Sequence, residues 1–360
     1  MKNIFAWLFI ITIVLSACQN PDDPPIPPLS PYPISSCDLS FLPEIRQSGT
    51  KVKNFIGEEE DMLTTLQKSG MNTVRLRLWY NPIDGFSGLE AVKQFSDEIK
   101  SKGMKVWLTV HYSDSWADPG TQTKPVKWNS LTYNQLKDSV FIYTKRIVTE
   151  IQPEFIQIGN EINHGLLWPE GNISNPTQMV ELLKQGVKAV RENSTQTKIM
   201  IHFAGFEDAI WFYDVIKQLD YDIIALSYYP LWHGKNLDSL ESKLLELGNR
   251  YDKDIVIAET SYPFTFSWND YTNNIIGSQD QILAEFPATP EGQRDYMLRL
   301  TEIILSSPKG VGFSYWGGEW ISFKGNTASN GSSRENQALW DFNNSALPAI
   351  NALHNIPISK

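Results

Sequence analysis

The sequence has little of what marks several protein classes. It has only two cysteines and five histidines, so neither a disulfide framework nor a cysteine–histidine zinc site is expected. The sequence has 31 lysine and arginine residues against 41 aspartate and glutamate residues, which gives a net charge of −10. It contains no run of basic residues. A surface that binds nucleic acid or anionic lipid headgroups through positive charge is therefore not expected. A neutral polymer suits this chain better than an acidic one.

Long apolar runs are also absent, except at the N-terminus. Lys2 precedes a nearly wholly apolar stretch that ends at Leu15. This stretch is too short to span a hydrocarbon core of about 30 Å and is typical of a signal peptide. Its last residues, Leu15-Ser16-Ala17-Cys18, resemble a bacterial lipobox. We expect residues 1–17 to be removed and Cys18 to be lipidated, which leaves Cys37 without an intrachain partner. An ordinary signal peptide that happens to contain a cysteine is the alternative.

A proline-rich linker is predicted for residues 18–36. Seven prolines fall between Pro21 and Pro33, a composition typical of an extended, semi-rigid spacer. Asp22 and Asp23, close behind Cys18, resemble the surface-export signals of Bacteroidetes lipoproteins. We therefore expect an exported protein, anchored by lipid to the outer membrane and facing the cell surface. The linker would hold a catalytic domain of residues 37–360 away from the membrane.

Residues 37–360 alternate short apolar runs with amphipathic helical stretches. The runs predict a first strand near residues 38–40 and further strands at 72–79, 105–112, 155–162, 198–204, 223–229, 254–261 and 310–316. Between them, apolar residues recur at helical spacing, as at Leu136, Val140, Tyr143, Ile147 and Ile151. No glycine-rich phosphate loop follows any strand. The pattern predicts an α/β fold with one domain, a single (β/α)8 TIM barrel.

Two glutamates stand at ends of predicted strands. Glu161 closes the fourth strand and Glu259 closes the seventh. Carboxylates in apolar runs are costly unless they are paired or functional, and a barrel gathers its chemistry at the carboxyl ends of its strands. Strands four and seven lie across the barrel mouth from each other, so both side chains can reach its axis. This arrangement predicts a retaining glycosidase, in which one carboxylic acid protonates the leaving oxygen and one carboxylate attacks the sugar.

The sequence resembles glycoside hydrolase family 53, the endo-β-1,4-galactanases, over nearly the whole domain. The resemblance rests on motifs after several strands: Arg75-Leu76-Arg77-Leu78-Trp79, His111-Tyr112-Ser113-Asp114, Trp116-Ala117-Asp118-Pro119-Gly120, Gly159-Asn160-Glu161-Ile162, Tyr228-Tyr229-Pro230 with Trp232-His233-Gly234, and Glu259-Thr260-Ser261. It implies an arabinogalactan endo-β-1,4-galactanase that cuts the galactan side chains of pectin. It implies Glu161 as acid/base and Glu259 as nucleophile. We expect a monomer whose partner is the β-1,4-galactan polysaccharide.

The resemblance also implies roles for other side chains. Asn160 should donate to the sugar 2-hydroxyl, Arg77 should hold Glu259 ionised, and Trp316 should form the floor under the sugar at the cleavage point. His111 and Tyr228 should reach the nucleophile or that sugar. The remaining candidate groove residues are Asp114, Trp116, Asp118 and Trp232. Arg75 is a weaker alternative to Arg77, and Trp320 is either a further platform or part of the core.

The pattern leaves three points open. No cofactor is expected, but Asp270, Asn273 and Asn274 could supply oxygen ligands to a structural calcium ion in the loop after strand seven, where some bacterial relatives bind one. After strand eight the chain reads Trp316-Gly317-Gly318-Glu319-Trp320, whereas fungal relatives have Glu-Pro after the tryptophan. Two alternative functions remain: a non-catalytic glycan-binding lipoprotein of the cell surface, and a related hydrolase of mannan or cellulose.

Overall fold

A closed barrel of eight parallel strands forms the centre of the molecule. The structure, a computed structural model, describes residues 33–355. The strands are β1 Ile34–Asp38, β2 Thr73–Leu78, β3 Lys105–Val110, β4 Phe155–Ile158, β5 Lys198–Ala204, β6 Ile223–Ser227, β7 Asp254–Thr260 and β8 Gly310–Tyr315. Each strand pairs with the next along the chain, and β8 pairs with β1. The predicted TIM barrel is confirmed.

The first strand starts earlier than predicted. Strands β2 to β8 lie within their predicted ranges, but β1 covers Ile34–Asp38 and not residues 38–40. It pairs Ser36 with Thr73 of β2 and Ile34 with Gly312 of β8, so residues predicted to end the linker belong to the barrel. The sequence of β1, Ile-Ser-Ser-Cys-Asp, has too few large apolar residues to give a strand signal.

Helices connect the strands around the outside of the barrel. They are α1 Leu42–Gln47, α2 Met62–Lys68, α3 Leu89–Ser101, α4 Tyr133–Ile151, α5 Pro176–Asn193, α6 Ala209–Val215, α7 Pro230–His233, α8 Leu237–Tyr251 and α9 Pro290–Ser306. The predicted apolar stripe of α4, Leu136 to Ile151, is buried. Thr132 begins this helix with a capping box to Gln135, which satisfies two free backbone N–H groups.

The core has two separate layers. The larger cluster lies between the strands and the helices and includes Val106 and Leu108 of β3. The smaller cluster takes the alternate residues, such as Trp107, and fills the barrel interior. Its members are Ile34, Trp107, Phe155, Met200, Ile223, Ala225, Val256, Ala258 and Val311. This apolar plug closes the barrel from below, so polar side chains gather above it at the carboxyl ends of the strands.

The predictions for the N-terminus lie outside the described residues. These are the signal peptide of residues 1–17, the lipidated Cys18 and most of the linker. Cys37 is buried and unpaired in the barrel. Within residues 33–355, no helix combines the length and apolar character needed to cross a membrane.

Candidate active site

Glu161 and Glu259 meet at the mouth of the barrel. Glu259 is in β7, and Glu161 follows β4 by three residues with a left-handed backbone, φ 47°. A carboxylate oxygen of each lies within 4.8 Å of one from the other. Retaining glycosidases hold their two carboxyl groups roughly 5–5.5 Å apart, while inverting enzymes need roughly 6.5–9.5 Å to admit a water. The spacing therefore suits direct attack on the sugar by one of the two carboxylates.

Arg75 and Tyr229 hold the carboxylate of Glu259. The Arg75 Nη2 donates to Glu259 Oε1 at 2.7 Å, and the Tyr229 hydroxyl donates to Oε2 at 3.1 Å. Arg75 also donates to Asp38 Oδ2 at 2.9 Å and is nearly fully buried. A buried arginine that donates to two carboxylates fixes the position of both. Both oxygens of Glu259 are thus oriented for attack.

The prediction that Arg77 pairs with Glu259 is wrong. Arg77 donates to Ser87 Oγ at 3.0 Å, and its guanidinium lies 4.5, 4.5 and 4.2 Å from the ring centres of Phe41, Trp79 and Trp116. Arg75 and Arg77 are two residues apart on β2, so alternation puts both on the same face. Only Arg75 is level with Asp38 of β1 and reaches the axis. Arg77 lies one step nearer the rim and supports an aromatic wall.

The environment of Glu161 keeps this side chain protonated. Burial, and then the negative charge of Glu259, raise the pKa of Glu161 to about 8. A hydrogen bond from Ser227 and the charge of Arg75 act in the opposite direction. At neutral pH the site therefore pairs a protonated Glu161 with Glu259, whose carboxylate is held by Arg75. An acid beside a nucleophile is the combination that retaining hydrolysis requires.

A relay that sequence reasoning missed supports Glu161 from below. Burial, with the charge of Arg75, lowers the pKa of His202 well below its usual value, so the ring is neutral. Gln157 donates to its Nδ1 at 2.9 Å, and the backbone N–H of Glu161 also points at Nδ1, at 3.3 Å. A third neighbour of Nδ1, Asn160 Oδ1 at 3.2 Å, is an acceptor. Because two of the three neighbours are donors, we assign the ring proton to Nε2, which then donates to Ser227 Oγ at 2.9 Å. The Ser227 hydroxyl then donates to Glu161 Oε1.

Asn160 is fixed beside the two carboxylates. Its Oδ1 accepts from Arg75 Nη2 and from Gln157 Nε2, both at 3.1 Å. Its Nδ2 donates to the carbonyl oxygen of Ala117 at 2.8 Å. An amide nitrogen has two hydrogens, so one remains for a sugar hydroxyl. Asn160 both caps the loop after β3 and lines the cavity that contains Glu161 and Glu259, the catalytic cavity.

The prediction for Tyr228 is wrong by one residue. The Tyr228 ring is fully buried, and its hydroxyl donates to the carbonyl oxygen of Gly234 at 3.0 Å. Ser227 faces the barrel interior, so alternation turns Tyr228 away and Tyr229 inward. Burial and the charge of Glu259 raise the pKa of Tyr229 well above its usual value, which keeps its hydroxyl a neutral donor.

Most of the other predicted residues line one cavity of about 270 Å³. They are Arg77, His111, Trp116, Asp118, Asn160 and Trp316, and Trp320 lies with them. The Nδ1 of His111 accepts the backbone N–H of Ala117 at 3.1 Å, and burial lowers the pKa of this histidine well below its usual value. His111 is therefore a neutral side chain that offers its Nε2 to the cavity.

Asp114 and Trp232 lie apart from that cavity. Asp114, predicted as a groove residue, is not in the cavity lining; its Oδ2 accepts the backbone N–H of Val126 at 2.8 Å and so stabilises the loop after β3. Trp232 is 53% exposed and lines a neighbouring cavity of about 250 Å³ with Asn163 and Glu207. Its ring contacts Tyr229 edge-on at 5.1 Å, so the second cavity adjoins the site on the side of Asn163, two residues after Glu161.

Arg334 is a site residue that sequence reasoning missed. It comes from the long loop after β8 and donates to Ser261 Oγ at 2.8 Å. Its guanidinium lies 4.4 Å from the ring centre of Trp316 and 5.0 Å from that of Tyr229, and it lines the catalytic cavity. It thereby links the predicted sugar platform to the residue that holds the nucleophile. No strand-end or motif signal marks this position in the sequence.

Two of the three possible calcium ligands in the loop after β7 make hydrogen bonds within the protein. The two carboxylate oxygens of Asp270 accept hydrogen bonds from Thr272 N at 2.6 Å and from Ser322 Oγ at 3.0 Å. Asn274 donates to the carbonyl oxygen of Ser267 at 3.2 Å, and Asn273 is exposed. The Asn274 Oδ1 is buried and, among the described residues, has no hydrogen-bond partner, so a calcium site in this loop stays a prediction.

Comparison with known proteins matches this geometry to one family. The model of glycosyl hydrolase family 53 matches residues 34–353. Among curated relatives, an arabinogalactan endo-beta-1,4-galactanase of Cellvibrio japonicus is 35% identical over 334 residues, 87% of this chain and 88% of the relative. The endo-beta-1,4-galactanase of Bacillus subtilis is 30% identical over 367 residues, 88% and 84% of the two chains. The solved catalytic domain of an Ignisphaera aggregans family 53 protein is 36% identical with a TM-score of 0.86, over 92% of this chain and 98% of that one.

Proposed function

The chain belongs to glycosyl hydrolase family 53, and on that premise we propose that it is an arabinogalactan endo-β-1,4-galactanase that acts with retention. One observation carries the chemistry: the carboxylates of Glu161 and Glu259 approach within 4.8 Å in environments that protonate one and pair the other with Arg75. The names of the galactanase relatives support the substrate. The net charge of −10 also suits a neutral polymer.

In the first step, the carboxylate of Glu259 attacks the anomeric carbon of the sugar at the cleavage point. The bond from that carbon to the glycosidic oxygen breaks, and Glu161 gives its proton to this oxygen. The leaving chain departs with a new 4-hydroxyl group, and the sugar remains as an ester on Glu259. Arg75 and Tyr229 orient Glu259 for this attack, each through one of its oxygens.

In the second step, Glu161 acts as a base. Its carboxylate takes a proton from a water molecule, whose oxygen attacks the anomeric carbon and releases Glu259. The negative charge that raised the pKa of Glu161 is absent while Glu259 is esterified, so Glu161 is a stronger acid at this point. The Ser227 hydroxyl stabilises the ionised form that this step needs. Two inversions return the original anomeric configuration, and no cofactor takes part.

The remaining side chains bind the polymer. We assign Asn160 to the 2-hydroxyl of the sugar at the cleavage point and Trp316 to the floor beneath it, because aromatic faces suit the apolar face of galactose. His111, Trp116 and Asp118 line the same cavity. We place the leaving part of the chain along Trp232, because its cavity lies on the side of Glu161 and Asn163.

Comparative hydrolysis tests this function. Galactan, mannan and cellulose are incubated with the purified wild type, Glu161→Gln and Glu246→Gln, the last a control on the exposed face of α8. For the wild type we expect a rapid fall in galactan viscosity and, by NMR, a product that first appears as the β-anomer. Glu161→Gln should be about 10²–10⁴-fold less active, and Glu246→Gln should match the wild type. Near-normal galactan cleavage by Glu161→Gln would contradict the assigned chemistry.

The same assay distinguishes the galactanase from the two alternative functions. A non-catalytic glycan-binding protein would bind galactan without releasing reducing ends. A hydrolase of another neutral β-glycan would release them faster from mannan or cellulose. Neither alternative is favoured. A binding protein has no need of a protonated Glu161 beside a Glu259 that is paired with Arg75. A hydrolase of another glycan is disfavoured because the similarity to galactanases covers most of the chain.

We further propose that Cys18 anchors this enzyme to the outer membrane, facing the cell surface, as a monomer. The proposal rests on the sequence Leu15-Ser16-Ala17-Cys18 and the acidic residues that follow it. Labelled palmitate should enter the wild type and a Cys37→Ser variant, but not Cys18→Ser, which should move to the soluble fraction. Protease added to whole cells should remove galactanase activity. Labelling that survives Cys18→Ser would contradict the anchor.

A further inference from the structure

Glu319 is a buried acid that the proposed chemistry does not use. It lies in the loop after β8, is fully buried, and accepts the backbone N–H of Phe41 on Oε1 at 2.9 Å. Among the described residues, its Oε2 has no hydrogen-bond partner. Burial, and then the charge of Asp38, raise the pKa of Glu319 to about 8, while the hydrogen bond from the Phe41 N–H and, more weakly, the charge of Arg77 act in the opposite direction. An unpaired buried carboxylate would be costly, so the side chain is a neutral acid at neutral pH.

The residue that Glu319 holds is the centre of an aromatic wall. The ring of Phe41 stacks on Trp320 with a centroid distance of 4.1 Å and an angle of 17°. Trp320 contacts Trp316 edge-on at 5.8 Å, and the guanidinium of Arg77 lies 4.5 Å from the Phe41 ring. Trp316, Trp320 and Arg77 all line the catalytic cavity. A shift of Phe41 would therefore move the surface on which sugars are expected to stack.

Two glycines bring Glu319 to this position. A Cβ at Gly318 would lie 2.8 Å from both Cys37 Sγ and Leu339 Cδ1, so only glycine allows the loop to approach β1 this closely. Gly317 has a left-handed backbone, with φ 72°. The close approach lets the Glu319 side chain reach across to the backbone of Phe41, at the end of the loop after β1.

We propose that Glu319 is a positioning residue whose carboxyl, by holding the backbone of Phe41, keeps the Trp320 side of the catalytic cavity in place and sets its affinity for galactan. The effect falls on binding and not on bond cleavage. In the described residues, no hydrogen bond joins Phe41 or Trp320 to Glu161 or Glu259. The proposal rests on the proposed galactanase function, because its substrate is the galactan chain.

Three variants of the full chain test the proposal through KM and kcat on galactan. Glu319→Ala removes the acceptor of the Phe41 N–H, and we expect KM to rise about five- to tenfold, the usual worth of one hydrogen bond, with kcat nearly unchanged. Glu319→Gln keeps a neutral acceptor and should restore the wild-type KM. Glu58→Ala, at an exposed position between α1 and α2 and outside the cavity lining, is the control.

Two results would overturn the proposal: an unchanged KM in Glu319→Ala, or a loss in Glu319→Gln equal to that in Glu319→Ala. If Glu319→Ala does not fold, Glu319→Met fills the same space without a strong acceptor and carries the same test. A wild type with no activity on galactan would refute the proposed function. An active wild type with an unaffected Glu319→Ala would refute this inference alone.

Discussion

Arg75 forms the ion pair with Glu259, at 2.7 Å from Nη2 to Oε1, and shares its charge with Asp38 at 2.9 Å. The three groups come from β2, β7 and β1, so the ion pair spans the barrel interior between two strands that β1 and β8 separate. Arg77, on the same face of β2, is held by three aromatic rings and contacts neither Glu161 nor Glu259 through a described hydrogen bond. The two arginines therefore have separable roles.

Lysine substitutions should distinguish the two arginines. Arg75→Lys keeps the positive charge but replaces the planar guanidinium, whose fixed geometry reaches Glu259, Asp38 and Asn160, with a compact ammonium group. Each hydrogen bond to a charged group that is lost costs about 1.5–3 kcal/mol. We expect kcat/KM on galactan to fall about 10²–10³-fold. Arg77→Lys keeps a cation against the aromatic wall, so the loss should stay below about tenfold. Circular dichroism checks that both variants fold. An equal loss in the two would contradict the separation.

The alkaline limb of the pH profile should report Glu161. The first step needs its proton, and the pKa of Glu161 is raised to about 8, so kcat/KM should fall as the pH rises through this value. The Ser227 hydrogen bond lowers that pKa by favouring the ionised form. Ser227→Ala should therefore shift the alkaline limb to higher pH, and Ser139→Ala, at a partly exposed position of α4 away from the site, should not. A downward shift in Ser227→Ala would contradict the role of this hydroxyl.

Glu161 and Glu259 could be predicted as the catalytic pair because charged side chains are rarely found in apolar strands without a function. Glu161 and Glu259 are carboxylates at the ends of apolar strands, and this placement is visible in the sequence alone. Seven strands were placed correctly for a related reason: their runs of large apolar residues fill both layers of the core. The first strand, built of small polar residues, was not.

The residues that bond to Glu161 and Glu259 depend on strand register and side-chain direction, which the sequence does not show. The choice between Arg75 and Arg77 depends on the stagger between β1 and β2, and that between Tyr228 and Tyr229 on which face Ser227 presents. His202 lies within an apolar strand and looks like a core residue until its hydrogen bonds are known. Long-range docking of the loop after β8 brings Arg334 to the site.

Phenylalanine substitutions should separate Tyr229 from Tyr228. Tyr229→Phe removes a hydrogen bond to the charged Glu259, worth about 1.5–3 kcal/mol, so kcat/KM should fall roughly 10–100-fold. Tyr228→Phe removes only a bond to the Gly234 carbonyl and should leave the kinetics near those of the wild type. Both variants keep the ring and so the packing. A larger loss in Tyr228→Phe would contradict the assignment.

The cavity beside Trp232 should bind the leaving part of the chain. Trp232→Ala removes an exposed ring worth about 1 kcal/mol in stacking, so KM for long galactan should rise roughly fivefold. An aryl β-galactobioside, whose small leaving group does not extend along this cavity, should be cleaved at the wild-type rate. Trp211→Ala, an equally exposed tryptophan on α6, should alter neither substrate. If Trp232→Ala raised the KM for both substrates alike, the cavity would bind the part of the polymer that stays on Glu259 and not the leaving part.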